Sequence, residues 1–149
     1  MQFTPYLMFY GDCAEAFAFY AKVLNAKIIR QLRYSQAPAG VPMPPNVDPD
    51  KIMHVALEKD GFRLMGGDMN QPRPESAQPP IYWVSISVES VEEAKRVATQ
   101  MAEGGKFFMP LGETFFSRQF AMYADCFGVH WMVDCSRTAE ELDANLTKS

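Results

Sequence analysis

Residues 6–24, YLMFYGDCAEAFAFYAKVL, and residues 82–101, YWVSISVESVEEAKRVATQM, each join a strand-like run to a helix-like run. The second strand-like run covers residues 81–88, where Tyr82, Val84, Ile86 and Val88 alternate with Trp83, Ser85 and Ser87. This is the period of a strand with one buried face, so we expect the apolar set that includes Tyr82 to face the helix. The helical parts begin alike, since Asp12 precedes Glu15 by three residues and Ser90 precedes Glu93 by three. Both pairs have the spacing of a capping box, in which each side chain accepts from the other's backbone amide. The sequence therefore predicts a strand followed by an amphipathic helix, twice.

Three further strand-like runs follow each predicted helix. In the first copy they cover residues 27–34, 52–58 and 62–68, and in the second copy residues 106–111, 118–124 and 129–135. A tight turn at Lys59-Asp60-Gly61 joins the last two runs of the first copy, and residues 125–128 join those of the second. The order is βαβββ in both copies, so we expect an α+β fold made of two tandem modules.

Proline-rich stretches mark the parts between the predicted elements. Residues 37–50, APAGVPMPPNVDPD, cannot pair in a sheet and predict a surface loop. We expect one domain over residues 1–149, with module one at 1–70, a linker at 71–80, module two at 81–135 and a polar tail at 136–149. The tail contains TAEEL, which indicates a short terminal helix.

Composition excludes several classes of protein. The chain has 149 residues, of which 48% are hydrophobic, and 14 Lys and Arg against 18 Asp and Glu give a net charge of −4. With no basic cluster, nucleic acid and anionic membranes are not expected partners. A secretory signal would require a positively charged start, but no Lys or Arg precedes Lys22. The three cysteines fit neither a disulfide framework nor a zinc knuckle. A cytoplasmic location is the simplest expectation.

The tandem βαβββ pattern resembles the vicinal oxygen chelate superfamily, which includes glyoxalase I, extradiol dioxygenases, fosfomycin-resistance enzymes and bleomycin-binding proteins. The opening TPYLMFYGDCAEAFAFYAKVLNAKI and the late GETFFSRQFAMYADCFGVHWMV are similar to its PhnB-like branch, often labelled 3-demethylubiquinone methyltransferase-like. The resemblance implies curled, mixed sheets that form half-cups, and a cavity in which His, Gln or Glu side chains from the first and fourth strands hold a divalent metal.

The resemblance places those four ligand positions at Pro5, Met65, Trp83 and Met132. None of these side chains offers the oxygen or imidazole donor that such a cation requires. We therefore expect that the metal site is lost and that the protein uses no cofactor.

The same alternation predicts which side chains line the cup. From the first module they are Pro5, Leu7, Phe9, His54, Ala56, Arg63 and Met65, and from the second Gln119, Tyr123, His130 and Asp134. The candidate ligand-binding residues are Phe9, His54, Arg63, Met65, Trp83, Glu113, Phe115, Arg118, Tyr123 and Met132.

His54 is the candidate catalytic residue, because imidazole titrates near neutral pH, although a structural role on a half-buried strand remains open. Glu113 and Arg118 either orient a polar ligand at the cavity mouth or pair with each other on the surface. Asp68 is expected to cap the turn into the linker, and Asp125 is expected to accept amides within its own hairpin turn. Gly66 and Gly67, next to Asp68, would also allow a ligand close to the backbone.

Two functions follow. The first is a metal-free small-molecule binding protein, favoured by an aromatic and methionine-rich lining. The second is a divergent lyase, isomerase or transferase that uses His54 as an acid, a base or a metal ligand; a purely structural module is a weaker third reading. The chain has no G-x-G-x-x-G run, so the sequence does not support S-adenosylmethionine chemistry of the common kind. The resemblance also implies a two-fold homodimer.

Overall fold

The computed structural model of the protein describes residues 1–76 and 80–147. The chain divides into two compact units, Met1–Gln78 (unit one) and Pro79–Ser149 (unit two). Residues 77–79 of the predicted linker and residues 148–149 of the predicted tail lie outside the described residues.

Unit one is a mixed four-stranded sheet with one helix. The order in the sheet is β1-β4-β3-β2, in which β1 and β4 run parallel and the other neighbours antiparallel. A 3₁₀ turn, Tyr34–Gln36, follows β2, and the proline-rich residues 37–50 contain no strand, as predicted. The elements are β1 (Tyr6–Phe9), α1 (Cys13–Val23), β2 (Lys27–Arg33), β3 (Ile52–Lys59) and β4 (Phe62–Asp68).

Unit two repeats this arrangement in the order β5-β8-β7-β6, with β5 parallel to β8. Its elements are β5 (Val84–Ser87), α2 (Val91–Met101), β6 (Lys106–Gly112), β7 (Ser117–Ala124), β8 (His130–Ser136) and α3 (Ala139–Leu146). The predicted α+β fold of two tandem βαβββ modules with curled, mixed sheets is confirmed. None of the described helices is long and apolar enough to cross a membrane.

Strand β5 is shorter than the predicted run 81–88. Val84 lies opposite Trp131 and β8 begins at His130, so residues before Trp83 have no strand to pair with. The expectation that Tyr82 faces the helix is therefore wrong, and its side chain is 66% exposed.

A helix covers one face of each sheet. In unit one Val55, Leu57 and Leu64 are buried on the face that packs against α1. Gly66 lies on this face, and a Cβ there would come within 2.7 Å of the Phe17 ring. The glycine is thus required for the closest approach of α1 to the sheet, and it offers no space to a ligand.

The two helices begin differently. In α2 the Ser90 hydroxyl accepts from the Glu93 amide at 3.1 Å, as predicted. In α1 Asp12 makes no side-chain cap, so the predicted box with Glu15 is wrong. Asp68 at the end of β4 replaces it: one carboxylate oxygen accepts from the amides of Gly11 and Cys13 at 2.9 and 3.1 Å, and the other from Ile52 at 2.8 Å. The β1–α1 turn, the end of β4 and the start of β3 therefore share one buried carboxylate, and the expectation that Asp68 caps the linker turn is wrong.

Asp125 organises the turn between β7 and β8. It is 3% exposed, and one carboxylate oxygen accepts from the amides of Phe127 and Val129, both at 2.9 Å. The predicted Asx-type turn is thus confirmed. The other oxygen accepts from the Trp131 indole N–H at 2.9 Å, which fixes the largest core side chain of unit two.

Candidate functional site

Each sheet has a second face, turned away from α1 in unit one or from α2 in unit two, which we call the open face. In unit one β1 pairs with β4 so that Tyr6 lies opposite Met65, and β4 pairs with β3 so that Met65 lies opposite Ala56. Directly paired residues point to the same side of a sheet. The open face of unit one therefore carries Tyr6, Met8, Arg30, Leu32, His54, Ala56, Glu58, Arg63 and Met65.

The expected cup lining from β1 is off by one residue. Leu7 and Phe9 are buried at 4% and 2% exposure on the helix side, and the Phe9 ring contacts Phe17 of α1. The placement of Leu7 and Phe9 in the cup is therefore wrong. Pro5, two residues before Leu7, belongs to the same side of the strand as Leu7 and not to the side that carries Met65. Tyr6 and Met8, 42% and 47% exposed, occupy the open face instead.

Tyr6 and His54 form the polar pair of this face. The phenol oxygen lies 3.2 Å from His54 Nδ1, and the two rings stack with centroids 5.7 Å apart. A Cβ at position 67 would come within 3.1 Å of that phenol oxygen and 2.9 Å of the Met53 carbonyl oxygen, so Gly67 leaves the space that Tyr6 fills. Sequence reasoning found His54 but missed Tyr6.

The charged residues of this face lie on β2, β3 and β4. Arg63 pairs with Glu58 at 3.1 Å, which neutralises that end of the face. Arg30 lies opposite Ala56, and among the residues that the structure describes its guanidinium forms no ion pair or hydrogen bond. Because His54 lies two residues before Ala56 on β3, Arg30 is its diagonal neighbour on β2.

The open face of unit two carries a cluster of rings. Trp83 contacts His130 edge-to-face at 4.8 Å and Phe108 at 5.4 Å, and Phe108 lies 5.1 Å from His130. We call these three residues the ring cluster. Lys106 Nζ lies 5.0 Å from the centre of the Phe108 ring.

The remaining open-face residues of unit two agree in part with the prediction. Met132 lies opposite Ser85 on one side and Met122 on the other, and Asp134 lies opposite Ser87. Phe108 was missed because a register shift lies between Phe107 and Met109, and simple alternation cannot place a residue across such an irregularity.

Tyr123 and Gln119 do not line the open face, so that prediction is wrong. Tyr123 lies opposite Trp131 on the helix side and is fully buried, and Gln119 is 7% exposed on the same side. Burial raises the pKa of the Tyr123 phenol, whose oxygen has no hydrogen-bond partner within the described part of the chain.

Glu113 and Arg118 do not pair with each other, so that one of the two expectations is wrong. Glu113 pairs with Arg137, which also donates to the Thr114 carbonyl at 3.1 Å. Arg118 donates to the Ser136 carbonyl at 3.2 Å and lies 4.0 Å from Glu141. These contacts fasten the loop to the polypeptide after β8, as does the bond from the Asn145 side chain to the carbonyl of Phe115, whose ring is 63% exposed.

The side chains at the expected metal positions do not fit a divalent cation. Met65, Trp83 and Met132 lie on open faces but supply thioether and indole groups, and Tyr6 takes the place of Pro5. Within residues 1–76 and 80–147, no three His, Cys, Asp or Glu side chains are grouped so that they could hold a metal ion. No step through a metal can be built from these residues.

The sequence belongs to the glyoxalase/bleomycin resistance protein/dioxygenase superfamily, whose family model matches residues 2–133. The paired βαβββ units and their open faces are the structural counterpart of that assignment.

Three relatives are informative. Protein YjdN of Escherichia coli K12 is 29% identical over 139 residues, which cover 90% of this chain and 95% of YjdN. The crystal structure of protein PA1353 from Pseudomonas aeruginosa is 38% identical with a TM-score of 0.80, covering 93% of this chain and 99% of that one. The PhnB protein from Bacillus cereus, which carries a 3-demethylubiquinone-9 3-methyltransferase label, is 25% identical with a TM-score of 0.72, covering 90% and 98%. The chain therefore has PhnB-like neighbours, as the sequence indicated.

Proposed function

We propose that this protein binds a planar aromatic small molecule at the ring cluster of unit two, without a divalent metal. The observation that carries the proposal is the edge-to-face arrangement of Trp83 with His130 and Phe108 on the sheet face turned away from α2. Rings set at right angles leave ring faces and edges on which a further aromatic ring can stack.

The surroundings of the ring cluster support an aromatic ligand of mixed polarity. Met122 and Met132 lie opposite each other on the same face, and unbranched thioethers adapt to ligands of different shape. Ser85 and Lys106 add a hydroxyl and a positive charge beside the rings. A few polar groups within an apolar lining are the usual composition of a small-molecule site.

The first test is a thermal-shift screen of planar compounds, with and without divalent metals, in which 2-naphthol is the neutral reference probe. A ligand that binds only the folded state raises the melting temperature. Trp83→Leu should abolish the shift. Phe62→Leu, which removes a 79% exposed ring from unit one, should leave it unchanged. Equal shifts in both variants would refute the ring cluster as the site.

A second candidate is an enzyme that uses His54 in proton transfer, favoured by the contact between Tyr6 Oη and His54 Nδ1 at 3.2 Å. Metal analysis of the purified protein separates it from the first. A stoichiometric divalent ion that is lost in His54→Gln would favour the enzyme, although the donor set described above does not provide for one.

The proposal extends to assembly and location. We propose a two-fold homodimer, because the family resemblance implies that small members assemble in this way. We propose a cytoplasmic location, which the three free cysteines support. Sedimentation equilibrium and cell fractionation test these two points separately.

A further inference from the structure

We propose that the open face of unit one is a second ligand site, specific for an organic carboxylate, in which Tyr6 fixes the tautomer of His54 and Arg30 supplies the positive charge. The inference rests on the proposed function only in taking the protein to bind small molecules, since it concerns a different surface and a different ligand class.

The first step is the direction of the hydrogen bond between Tyr6 and His54. Burial raises the pKa of the Tyr6 phenol from its ordinary value of 10.0, so the phenol keeps its proton at neutral pH. A phenol O–H is a stronger donor than an imidazole N–H, and an imidazole nitrogen is a stronger acceptor than a phenol oxygen. The favoured arrangement therefore has Tyr6 donating to Nδ1, which leaves the imidazole proton on Nε2 of His54.

The second step is that the pair is held in place. Gly67 lies on β4 between the two strands that carry Tyr6 and His54, and its missing side chain lets the phenol cross β4. The ring stacking at 5.7 Å then restrains the imidazole. An oriented imidazole presents its Nε2–H as a fixed donor, which is how a second group determines the use of a histidine.

The third step is the charge of the face. Glu58 and Arg63 neutralise each other, whereas Arg30 has no acidic partner among the described residues. Lys27 on β2 lies opposite Glu58 on β3, and it adds a further positive charge at the end of the face where Glu58 and Arg63 pair. Diagonal neighbours on adjacent strands have Cα atoms roughly 7–8 Å apart, a span that the long Arg30 side chain can bridge.

These groups define the ligand by what they offer. His54 Nε2–H and the Arg30 guanidinium are both donors, and together they match the acceptor oxygens of a carboxylate. Met8 and Met65 on the same face offer thioether surface to an apolar body. The ligand class is therefore a carboxylic acid with an apolar or aromatic body.

The chain contains two histidines, one on each open face, so imidazole NMR can observe both surfaces at once. In ¹⁵N-labelled protein at a pH where the imidazoles are neutral, His130→Gln assigns the two sets of signals. We expect His54 to carry its proton on Nε2, and Tyr6→Phe to shift its tautomer equilibrium towards that of free histidine. Tyr34→Phe, whose hydroxyl donates to the Asp68 carbonyl instead, is the matched control. A proton on Nδ1 in the wild-type protein would overturn the assigned role of Tyr6.

The carboxylate is tested with 2-naphthoate against its neutral analogue 2-naphthamide. We expect 2-naphthoate to shift the His54 signals, and Arg30→Gln to weaken its binding about tenfold or more, since a charged hydrogen bond is lost. Lys95→Gln, which removes a positive charge from an exposed position of α2 in unit two, is the control for general charge and should not weaken it. Binding of 2-naphthoate that Arg30→Gln does not weaken, or equal binding of 2-naphthamide, would overturn the proposed specificity.

The two proposals fail in different ways. If 2-naphthoate shifts only His130, the carboxylate site is refuted while binding at the ring cluster is supported. If 2-naphthoate shifts His54 and 2-naphthol never shifts His130, the ring cluster is refuted and the carboxylate site stands. If neither probe shifts either histidine, both are refuted.

Discussion

The buried carboxylate of Asp68 gives the sharpest test of how unit one is held together. It accepts three backbone amides, from Gly11, Cys13 and Ile52, at 2.8–3.1 Å, and it is 2% exposed. In Asp68→Ala the amides of Cys13 and Ile52 stay buried without an acceptor, at about 1–3 kcal/mol each, while Gly11 regains water. We expect the free energy of unfolding to fall by about 4 kcal/mol.

Asp12→Ala is the matched control, because Asp12 is the residue that the sequence marks as the helix cap. Its carboxylate pairs with Arg73 at 3.3 Å where both side chains are partly exposed, and such pairs contribute less than about 1 kcal/mol. Denaturant unfolding of the two variants measures the difference. Asp68→Asn, which keeps one carbonyl oxygen, provides a milder variant if Asp68→Ala does not fold.

Hydrogen exchange locates the effect. In Asp68→Asn the amides of Gly11, Cys13 and Ile52 should exchange faster, and amides in unit two should be unchanged. An Asp12 variant that loses as much stability as the Asp68 variant would refute the assignment of the cap.

Three further outcomes are expected. Cys126 is exposed whereas Cys13 and Cys135 are buried, so native protein should react rapidly with Ellman's reagent at one thiol, and unfolded protein at three. Burial raises the pKa of the Cys13 thiol above its ordinary value of 9.0, so the folded state keeps a proton that the unfolded state loses. The free energy of unfolding should therefore fall as pH rises above about 9, less steeply in Cys13→Ala, and a pH-independent value would contradict this. Asp125→Ala should lower the free energy of unfolding by about 2–3 kcal/mol, because the Trp131 indole N–H and two backbone amides lose their acceptor. The exchange of the indole N–H should become faster, which NMR can follow.

Most of the fold could be predicted because its strands alternate regularly and its turns have distinctive residues. The run 62–68 matches β4 at both ends, and the turn before it has Asp60 and Gly61 at positive φ, as a two-residue hairpin turn requires. The predicted short tail helix is confirmed as α3, and in the structure Thr138 and Glu141 form a capping box at its start.

Two further kinds of error, besides the register shift at Phe108, have clear physical causes. The expected positions Pro5 and Trp83 are equivalent only if β1 and β5 are matched through the helices that follow them. In the structure Tyr6 pairs with Met65 as Ser85 pairs with Met132, and the helix begins one residue sooner after β5 than after β1. Matching the helices therefore shifts β1 by one residue. A shift of one residue reverses the face of every side chain in a strand. Burial was the available signal: Leu7 and Phe9 suit a helix-covered face better than Tyr6 and Met8.

Long-range polar contacts were the second cause. The sequence placed Asp12 at the helix start and offered no reason to bring Asp68 there, because 55 positions separate Asp68 from Cys13. Tyr6 and His54 are likewise 48 positions apart. Local pattern cannot rank such partners, whereas sheet register brings them together.

The fit between Gly67 and the Tyr6 phenol limits how unit one can be re-engineered. A methyl group at position 67 would meet a backbone carbonyl oxygen at 2.9 Å as well as the phenol, so a change of Tyr6 alone would not make room for it. Directed evolution of this surface should therefore hold position 67 constant and randomise the neighbouring strands. Libraries built that way should yield more folded members than libraries that randomise β4.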